Sequence, residues 1–356
     1  METRNRRRGQ RQRQHGAEEP GFLKKLTVTP ITRKRYEAAY ADVVRFLGRF
    51  VPSAKSLEAW DRALEDYIEK LYLAGDRITV ARYAFHGVAF VNEWPRKDPS
   101  LMPRSRLALL GFARSSPEHC RDPPCMEQVY LAIDYFLGRA AGDELMLYAM
   151  AAAHAWLSVD CYLRPSEGLA LVGAAVSRPR RGAAAQGWAL TIAPRGGPPA
   201  KNRRFDSSVV VGAHDRGWAC DLLELLSRDL PADQPLFRNL TLSNLERLYR
   251  EMSKALDFPM VAHGLRHAGP SHDALVHKAS IEDIQQRGRW VSLESCRIYT
   301  KPASLVRSLG RVSDRLLREA GRLRGELSGR VLKVVSEALA PARRAGNPGK
   351  SKRGRR

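Results

Sequence analysis

Cysteine is scarce: the 356 residues hold five, Cys120, Cys125, Cys161, Cys220 and Cys296. So few and so scattered, they exclude a disulfide framework and suit a reducing compartment. "HCRDPPC" at 119–125 pairs two of them, but no second pair follows at zinc spacing, so no metal site is expected. Long apolar runs are missing as well. The most apolar stretch, "LMLYAMAAAHAWLSV" at 145–159, is interrupted by His154 and too short to span a bilayer, so it reads as a buried helix. The start, "METRNRRRGQRQRQHG", is basic with no apolar core behind it and does not read as a secretory signal. There is no internal repeat and no nucleotide-binding glycine loop. Acids are in deficit, 38 against 60 Lys and Arg, for a formal charge of +22. Such a surplus favours a polyanionic partner, nucleic acid or an anionic surface.

Much of the surplus lies at the two ends. Residues 1–15 carry six Arg and one Glu, and residues 341–356 carry five Arg, two Lys and no acid. Segments of this kind cannot bury a core and are expected to stay disordered until they meet a polyanion. The length between them suits two domains. The expected division is a tail at 1–26, a helical domain at 27–118, a second domain at 119–340 with a C-terminal helix, and a tail at 341–356.

In the first domain, "TPITRKRYEAAYADVVRFLGRF" and "SLEAWDRALEDYIEKLYLAG" repeat apolar residues at three-and-four spacing behind the candidate N-caps Thr29 and Ser56. "ITVARYAFHGVAFVNEW" adds a third helix, and the proline-bearing stretches 96–106 and 115–125 mark the boundary. A helix over 126–139 and the apolar helix follow, and then the period changes. "LVGAAV", "GWALTIA" and "DSSVVVG" read as two or three strands of a small antiparallel sheet. Helices resume at "WACDLLELLSRDL", "TLSNLERLYREMSKAL", "HGLRHAGPSHDALVH" and "IEDIQQRG", and an arginine-studded run continues from 304 to 339. The fold class expected is mainly α, an α+β arrangement with one small sheet.

Three polar stretches stand out. In "HGLRH", His263 and Arg266 share a helical face, which suits a phosphate clamp and also an exposed polar pair. His267 supplies zinc-like spacing, but residue 264 is Gly where a metalloprotease needs Glu. Pro270 implies a late start or a bend in that helix. "CYLRPSEGLAL" places Arg164 at the end of the apolar helix, with Pro165 suited to open the next. Helix-end electrostatics account for Arg164 and Glu167 just as well. "RGRWVSLESCRIYTK" adds Trp290 and, nine residues on, Tyr299, which as single residues read equally as core aromatics.

Taken together, Arg164 with Glu167, His263-x-x-Arg266, Gly288-Arg289-Trp290 and Tyr299 resemble the tyrosine recombinase (phage integrase) family over residues 28–305. The resemblance implies a helical core-binding domain followed by a catalytic domain, the two closing over duplex DNA. It implies cleavage and rejoining through a 3′-phosphotyrosyl intermediate, in a synapse of four protomers that are monomers or dimers in solution. Tyr299 would be the nucleophile. Arg164 and Arg266 would grip the non-bridging oxygens, and His263 would bond the phosphate or take the tyrosine proton. Trp290 would donate its indole N–H. The family's acid for the leaving 5′-oxygen is a lysine in the sheet hairpin, here matched by Lys201 of "PRGGPPAKNRRFDSSVVV". No cofactor and no metal is needed, because the phosphotyrosine bond conserves the phosphodiester energy.

Tryptophan stands where the family's pattern has "LGH", a replacement the family tolerates. Arg203, Arg204, Arg287 and Arg289 are candidate DNA contacts. The late helix, with Val306, Leu309, Val312 and Leu316 on one side, reads either as a further DNA contact or as a docking element for a neighbouring protomer. Alternative functions are a type IB topoisomerase, a retired recombinase kept as a DNA-binding protein, and a basic RNA-binding protein. The expected location is the nucleus in a eukaryote and otherwise the cytoplasm, associated with the nucleoid, with no membrane and no small-molecule cofactor.

Overall fold

Residues 27–95, 98, 100–116, 122–180, 182, 187–192, 207–214 and 216–345 are described by a computed structural model. The chain divides into two units, Met1–Cys120 and Arg121–Arg356.

The described part of the first unit is helical. It contains α1 (Pro30–Leu47), α2 (Leu57–Leu73), α3 (Ile78–Val91) and α4 (Pro103–Ser115). Thr29 caps α1, its hydroxyl accepting from the Thr32 amide at 3.2 Å, with Pro30 at the first helical position. Ser56 precedes α2 without making a cap bond. Helix α4 is an addition to the sequence expectation. With no capping side chain of its own, it is capped from a distance by the buried Asp61 of α2. That carboxylate accepts from the Arg104 amide at 3.0 Å and the Ser105 amide at 2.8 Å, satisfying donors that a local cap would otherwise take. Helix α1 lies against α3 and α2 against α4, around Val43, Trp60, Leu64, Ile68, Phe85, Val88 and Phe112.

The second unit opens with α5 (Met126–Arg139), α6 (Leu145–Cys161) and α7 (Pro165–Leu169). The sheet strands β1 (Val176–Ser177), β2 (Ala189–Ile192) and β3 (Ser207–Val210) follow. The remaining helices are α8 (Trp218–Ser227), α9 (Leu242–Leu256), α10 (Leu265–Leu275), α11 (Ile281–Gly288), α12 (Leu293–Tyr299), α13 (Pro302–Leu309) and α14 (Asp314–Ala345). Helix α6 is apolar around its whole circumference and is accordingly the centre of the unit, buried continuously from Tyr148 to Cys161. Helices α5, α8, α10 and α14 pack around it. The sheet is antiparallel in the order β1-β2-β3, with Leu190 opposite Val176 on one side and Val209 on the other. Leu190, Ile192 and Val209 turn into the core.

Two sequence expectations are corrected. "LVGAAV" is not a strand along its length: Gly173–Ala175 form a 3-10 turn and β1 starts only at Val176. The segment bonds to the loop before α9 instead, through Gly173 N to Gln234 O at 3.0 Å and Leu236 N to Leu171 O at 2.8 Å. The run from 304 to 339 is two helices rather than one. Helix α13 ends at Leu309, and Ser313, its hydroxyl 3.5 Å from the Leu316 amide, starts α14, which continues through Ala345. The proposed apolar side divides with it: Val312 and Leu316 pack beside Leu305 and Cys125, whereas Val306 and Leu309 stay exposed. Helix α14 docks on its own unit, burying Ala320, Leu323, Leu327, Val331 and Val335 at three-and-four spacing. Pro270 lies inside α10 and does not break it. The start is late, and His263 falls in the 3-10 turn Ala262–Gly264 ahead of the helix.

Candidate active site

The site begins where α6 stops. Tyr162 takes a left-handed backbone, φ 49° and ψ 45°, and turns the chain so that Arg164 precedes α7 with Pro165 at its first position. Glu167, in the first turn of α7, folds back to accept the Arg164 amide at 3.0 Å and pairs with the Arg164 guanidinium. Two more guanidiniums reach Glu167 Oε2, Arg266 Nη1 at 3.3 Å and Arg289 Nη2 at 3.1 Å. Burial on its own would raise the Glu167 pKa. The cations of Arg289, Arg266 and Arg164 and the Arg164 amide outweigh it and hold the carboxyl below its usual range. Three cations thus share one carboxylate. The positive surplus in a desolvated site is what an incoming anion would relieve.

Arg266 has no exposed surface. Its Nη1 donates to the Tyr162 carbonyl and to Glu167, and its Nη2 donates to Gly288 O at 2.8 Å. Of its five N–H groups these bonds use three, and the Nε–H is buried without a partner among the described residues. Burial first, and then Arg164 and Arg289, pull its pKa below the ordinary arginine value, with Glu167 opposing them. Within this site Arg164 Nε, Arg266 Nε and Trp290 Nε1 are buried donors without a hydrogen-bond partner among the described residues, as are a few buried groups elsewhere such as Trp156 Nε1 and Tyr249 OH. Unpaired buried donors are rare in folded proteins because each costs a desolvation penalty, so several together mark a place for an acceptor.

Trp290 follows α11 with its ring folded back over Gly288, where an added Cβ would lie 1.7 Å from the indole Cζ3. Only glycine permits that approach. The Arg266 guanidinium stands 4.8 Å from the Trp290 ring and 5.4 Å from that of Tyr299. Tyr299 is the last residue of α12 and half-buried. Its ring stacks on His267 at 4.4 Å, tilts against Trp290 at 5.0 Å and meets the exposed His263 edge-on at 6.1 Å. Burial first, then the charges of His263, Lys301 and Arg266, draw the His267 pKa down to about 4, so it serves as a neutral stacking partner. Ser271 fixes the backbone here, its hydroxyl donating to Tyr299 O at 3.2 Å and accepting from the Lys301 amide at 2.9 Å.

Of the residues singled out in the sequence, Arg164, Glu167, Arg266, His263, Trp290 and Tyr299 are brought together. Lys201, Arg203 and Arg204 lie outside the described residues. Arg287 and Arg289 are corrected: both turn inward, away from the role of DNA contacts. Arg287 donates to Asp160 O at 2.8 Å, to Asp160 Oδ1 at 2.7 Å and to Val210 O at 2.8 Å. Arg289, besides Glu167, donates to Cys161 O at 3.0 Å and Tyr162 O at 3.3 Å. The carbonyls ending α6 and the two buried carboxylates consume these arginines, and the positive charge alone pointed to the surface. The sequence left Tyr162 and Ser271 unnoticed and offered His267 only as a zinc-spaced histidine. Their only local signal is position, Tyr162 two residues before Arg164 and the other two on the helix of Arg266. Among the described residues no cluster of His, Cys, Asp and Glu fits a metal ion.

The fold and site therefore define a helical domain with a small sheet in which a tyrosine ring lies beside a cluster of three arginines that share one carboxylate. No family model and no curated protein matches the sequence. Solved structures do match. The chain is similar to the XerH site-specific recombinase in a post-cleavage complex with palindromic difH substrate, at 16% identity over 82% of this chain and 92% of that one, TM-score 0.40. It is similar to the integrase of the Tn1549 transposon in complex with circular intermediate DNA, at 12% identity over 81% and 99%, TM-score 0.46. It is also similar to the XerA recombinase, at 15% identity over 84% and 93%, TM-score 0.35. At such identity no residue's role carries across, and function has to be read from the side chains themselves.

Proposed function

We propose that the chain is a tyrosine-type DNA strand transferase, a recombinase or integrase that cleaves and rejoins duplex DNA through a 3′-phosphotyrosyl intermediate. The observation that carries this reading is the convergence on the Tyr299 ring of Arg266 and Trp290, with unpaired donors on Arg164, Arg266 and Trp290. A phosphodiester supplies the missing acceptors and the missing negative charge. Arg266 Nε, Arg164 Nε and the Trp290 indole would hold its non-bridging oxygens while charge builds in the five-coordinate transition state. The Tyr299 oxygen attacks phosphorus and the bond to the 5′-oxygen breaks. The phenol proton passes to His263, which is exposed and beside the ring, and the 5′-oxygen takes a proton from Lys201. The reverse sequence rejoins a strand, with the bond energy kept in the phosphotyrosine. Duplex DNA as partner and a four-protomer synapse belong to the same proposal.

The test is covalent trapping on a library of randomised duplexes nicked so that the leaving strand is lost, run on a denaturing gel beside Tyr299→Phe. A DNA-linked band with the wild type that is absent from the variant is the expected result. Binding of duplex by both proteins with no band from either would overturn the enzymatic reading. Recovered sites placed on two duplexes then separate strand exchange from simple nicking and closing.

A further inference from the structure

Two tyrosines lie among the arginines, and the reaction proposed above uses only one. Tyr162 is buried in one cluster with Trp290, Ile284 and Cys296, on which Tyr299 packs, and its ring lies 6.2 Å from that of Trp290. Its hydroxyl donates to Asp273 Oδ2. Burial first and Asp273 second push this phenol far above its ordinary pKa, so it stays a donor at every working pH and is no nucleophile. The Asp273 carboxylate is fixed from its other side by both Nη atoms of Arg216, with Nη1 at 3.2 Å from Oδ2. His214 at 3.6 Å and His277 at 4.0 Å complete its surroundings.

Both catalytic arginines are tied to this one residue. The Tyr162 carbonyl accepts from Arg266 Nη1 and, at 3.3 Å, from Arg289 Nη2. Arg164 follows two positions along the chain, after the left-handed turn that Tyr162 makes. That conformation is costly for a residue with a Cβ and survives where the surroundings over-determine it. Here the surroundings are the phenol anchor at one end and the carbonyl bonds at the other. Asp273 belongs to α10, as does Arg266, so the anchor fixes the turn to the helix that carries the second arginine. The two elements are in close contact: an added Cβ at Gly269 would fall 2.7 Å from Tyr162 Cδ1 and 2.3 Å from Val159 O.

We propose that Tyr162 is a positioning residue for strand transfer, whose Asp273-anchored left-handed turn sets the spacing at which Arg164 and Arg266 grip one phosphate. This rests on the reading of function given above. Loosening the anchor leaves every phosphate-contacting group present but misplaced, and a displacement of about 1 Å at such a site costs on the order of 100-fold in rate. The signature is therefore a slower chemical step with DNA affinity retained.

The experiment measures single-turnover adduct formation at saturating trapped duplex, duplex affinity by native gel shift, and thermal melting. It compares the full chain with Tyr162→Phe, Asp273→Asn and the double variant. Expected are a roughly 10- to 100-fold slower adduct step in Tyr162→Phe and a duplex Kd within about twofold of wild type. The double variant is expected to be no slower than the slower single one, since Tyr162→Phe removes and Asp273→Asn weakens one and the same bond. Should Tyr162→Phe fail to fold, Asp273→Asn, which keeps an acceptor for the phenol, must show the same split at smaller size. Wild-type rates in either folded variant, or effects that multiply in the double, overturn the proposal. A wild type that forms no adduct fails at the level of function and takes the inference with it, whereas an active wild type with an equally active Tyr162→Phe fails the inference alone.

Discussion

Arg289 Nη2 lies 3.1 Å from Glu167 Oε2, the oxygen that Arg266 Nη1 also reaches at 3.3 Å. One carboxylate therefore neutralises part of a cluster of three guanidiniums, Arg164 included. Replacing it by an amide, Glu167→Gln, leaves uncompensated buried cations and should lower stability by about 3 kcal/mol at pH 7 in urea unfolding. Sulfate should restore more of that loss than chloride at equal ionic strength, and more in the variant than in the wild type. An equal response of the two proteins would show that the cluster holds no anion. Since the Glu167 carboxyl is held below its usual range, its stabilising effect is complete above the unfolded value of about 4.3 and is lost as pH falls through the lower folded value.

Trp290 separates catalysis from stability. Its Nε1 is buried without a partner among the described residues, so the folded chain carries that desolvation cost uncompensated. Trp290→Phe keeps an aromatic ring over Gly288 and removes the orphan donor. The lost packing and the relieved donor should cancel to within about 1 kcal/mol. The adduct rate should nevertheless fall by about 100- to 1,000-fold, as expected when one donor to a developing oxyanion is deleted. Unaltered kinetics with lowered stability would assign the indole to packing only.

How far the site was legible follows from what the sequence displays. Arg164, His263, Arg266, Trp290 and Tyr299 were readable because their order along the chain is itself the pattern, and the helices around them carry clear apolar periods. The bounds of α5 and α11 agree with those read from periodicity, Met126–Arg139 and Ile281–Gly288. What escaped depends on distant partners. Tyr162 meets Asp273 across a separation of 111 residues, and α4 is capped by Asp61 of another helix. Arg287 and Arg289 looked like surface charge because nothing local announces that the last carbonyls of α6 and two buried carboxylates wait for them. The break between α13 and α14 rests on a glycine cap, Gly310, and Ser313, set among arginines.

Arg287 tests that inward assignment directly. Its three nitrogens bond to Asp160 and Val210, and its side chain is 13% exposed. Arg287→Gln strips the buried Asp160 of its nearest cation and should cost about 3 kcal/mol in unfolding experiments. The slope of log K against log salt for duplex binding should stay unchanged, because no phosphate contact is lost. A DNA-contacting arginine would instead flatten that slope by about 0.9 while leaving stability nearly intact.

Low pH should destabilise the fold through buried histidines, and His154 is the clearest of them. It is wholly enclosed in α6, edge-on to Phe237 at 5.1 Å, and burial draws its pKa down to about 4. An unfolded histidine titrates near 6.5, so above that pH both states are neutral and the full stability is present. As pH falls below about 6.5 the unfolded chain binds the proton first, and stability drops by about 1.4 kcal/mol per pH unit, reaching a loss of about 3 kcal/mol by pH 4. His267 and His272, also drawn down to about 4, add to the slope in the same direction. Urea unfolding of wild type and His154→Leu between pH 7 and pH 4.5 should show the variant's slope smaller by one proton, with its stability near that of the wild type at pH 5. An unchanged slope would mean that His154 gains its proton in the folded chain as readily as in the unfolded one.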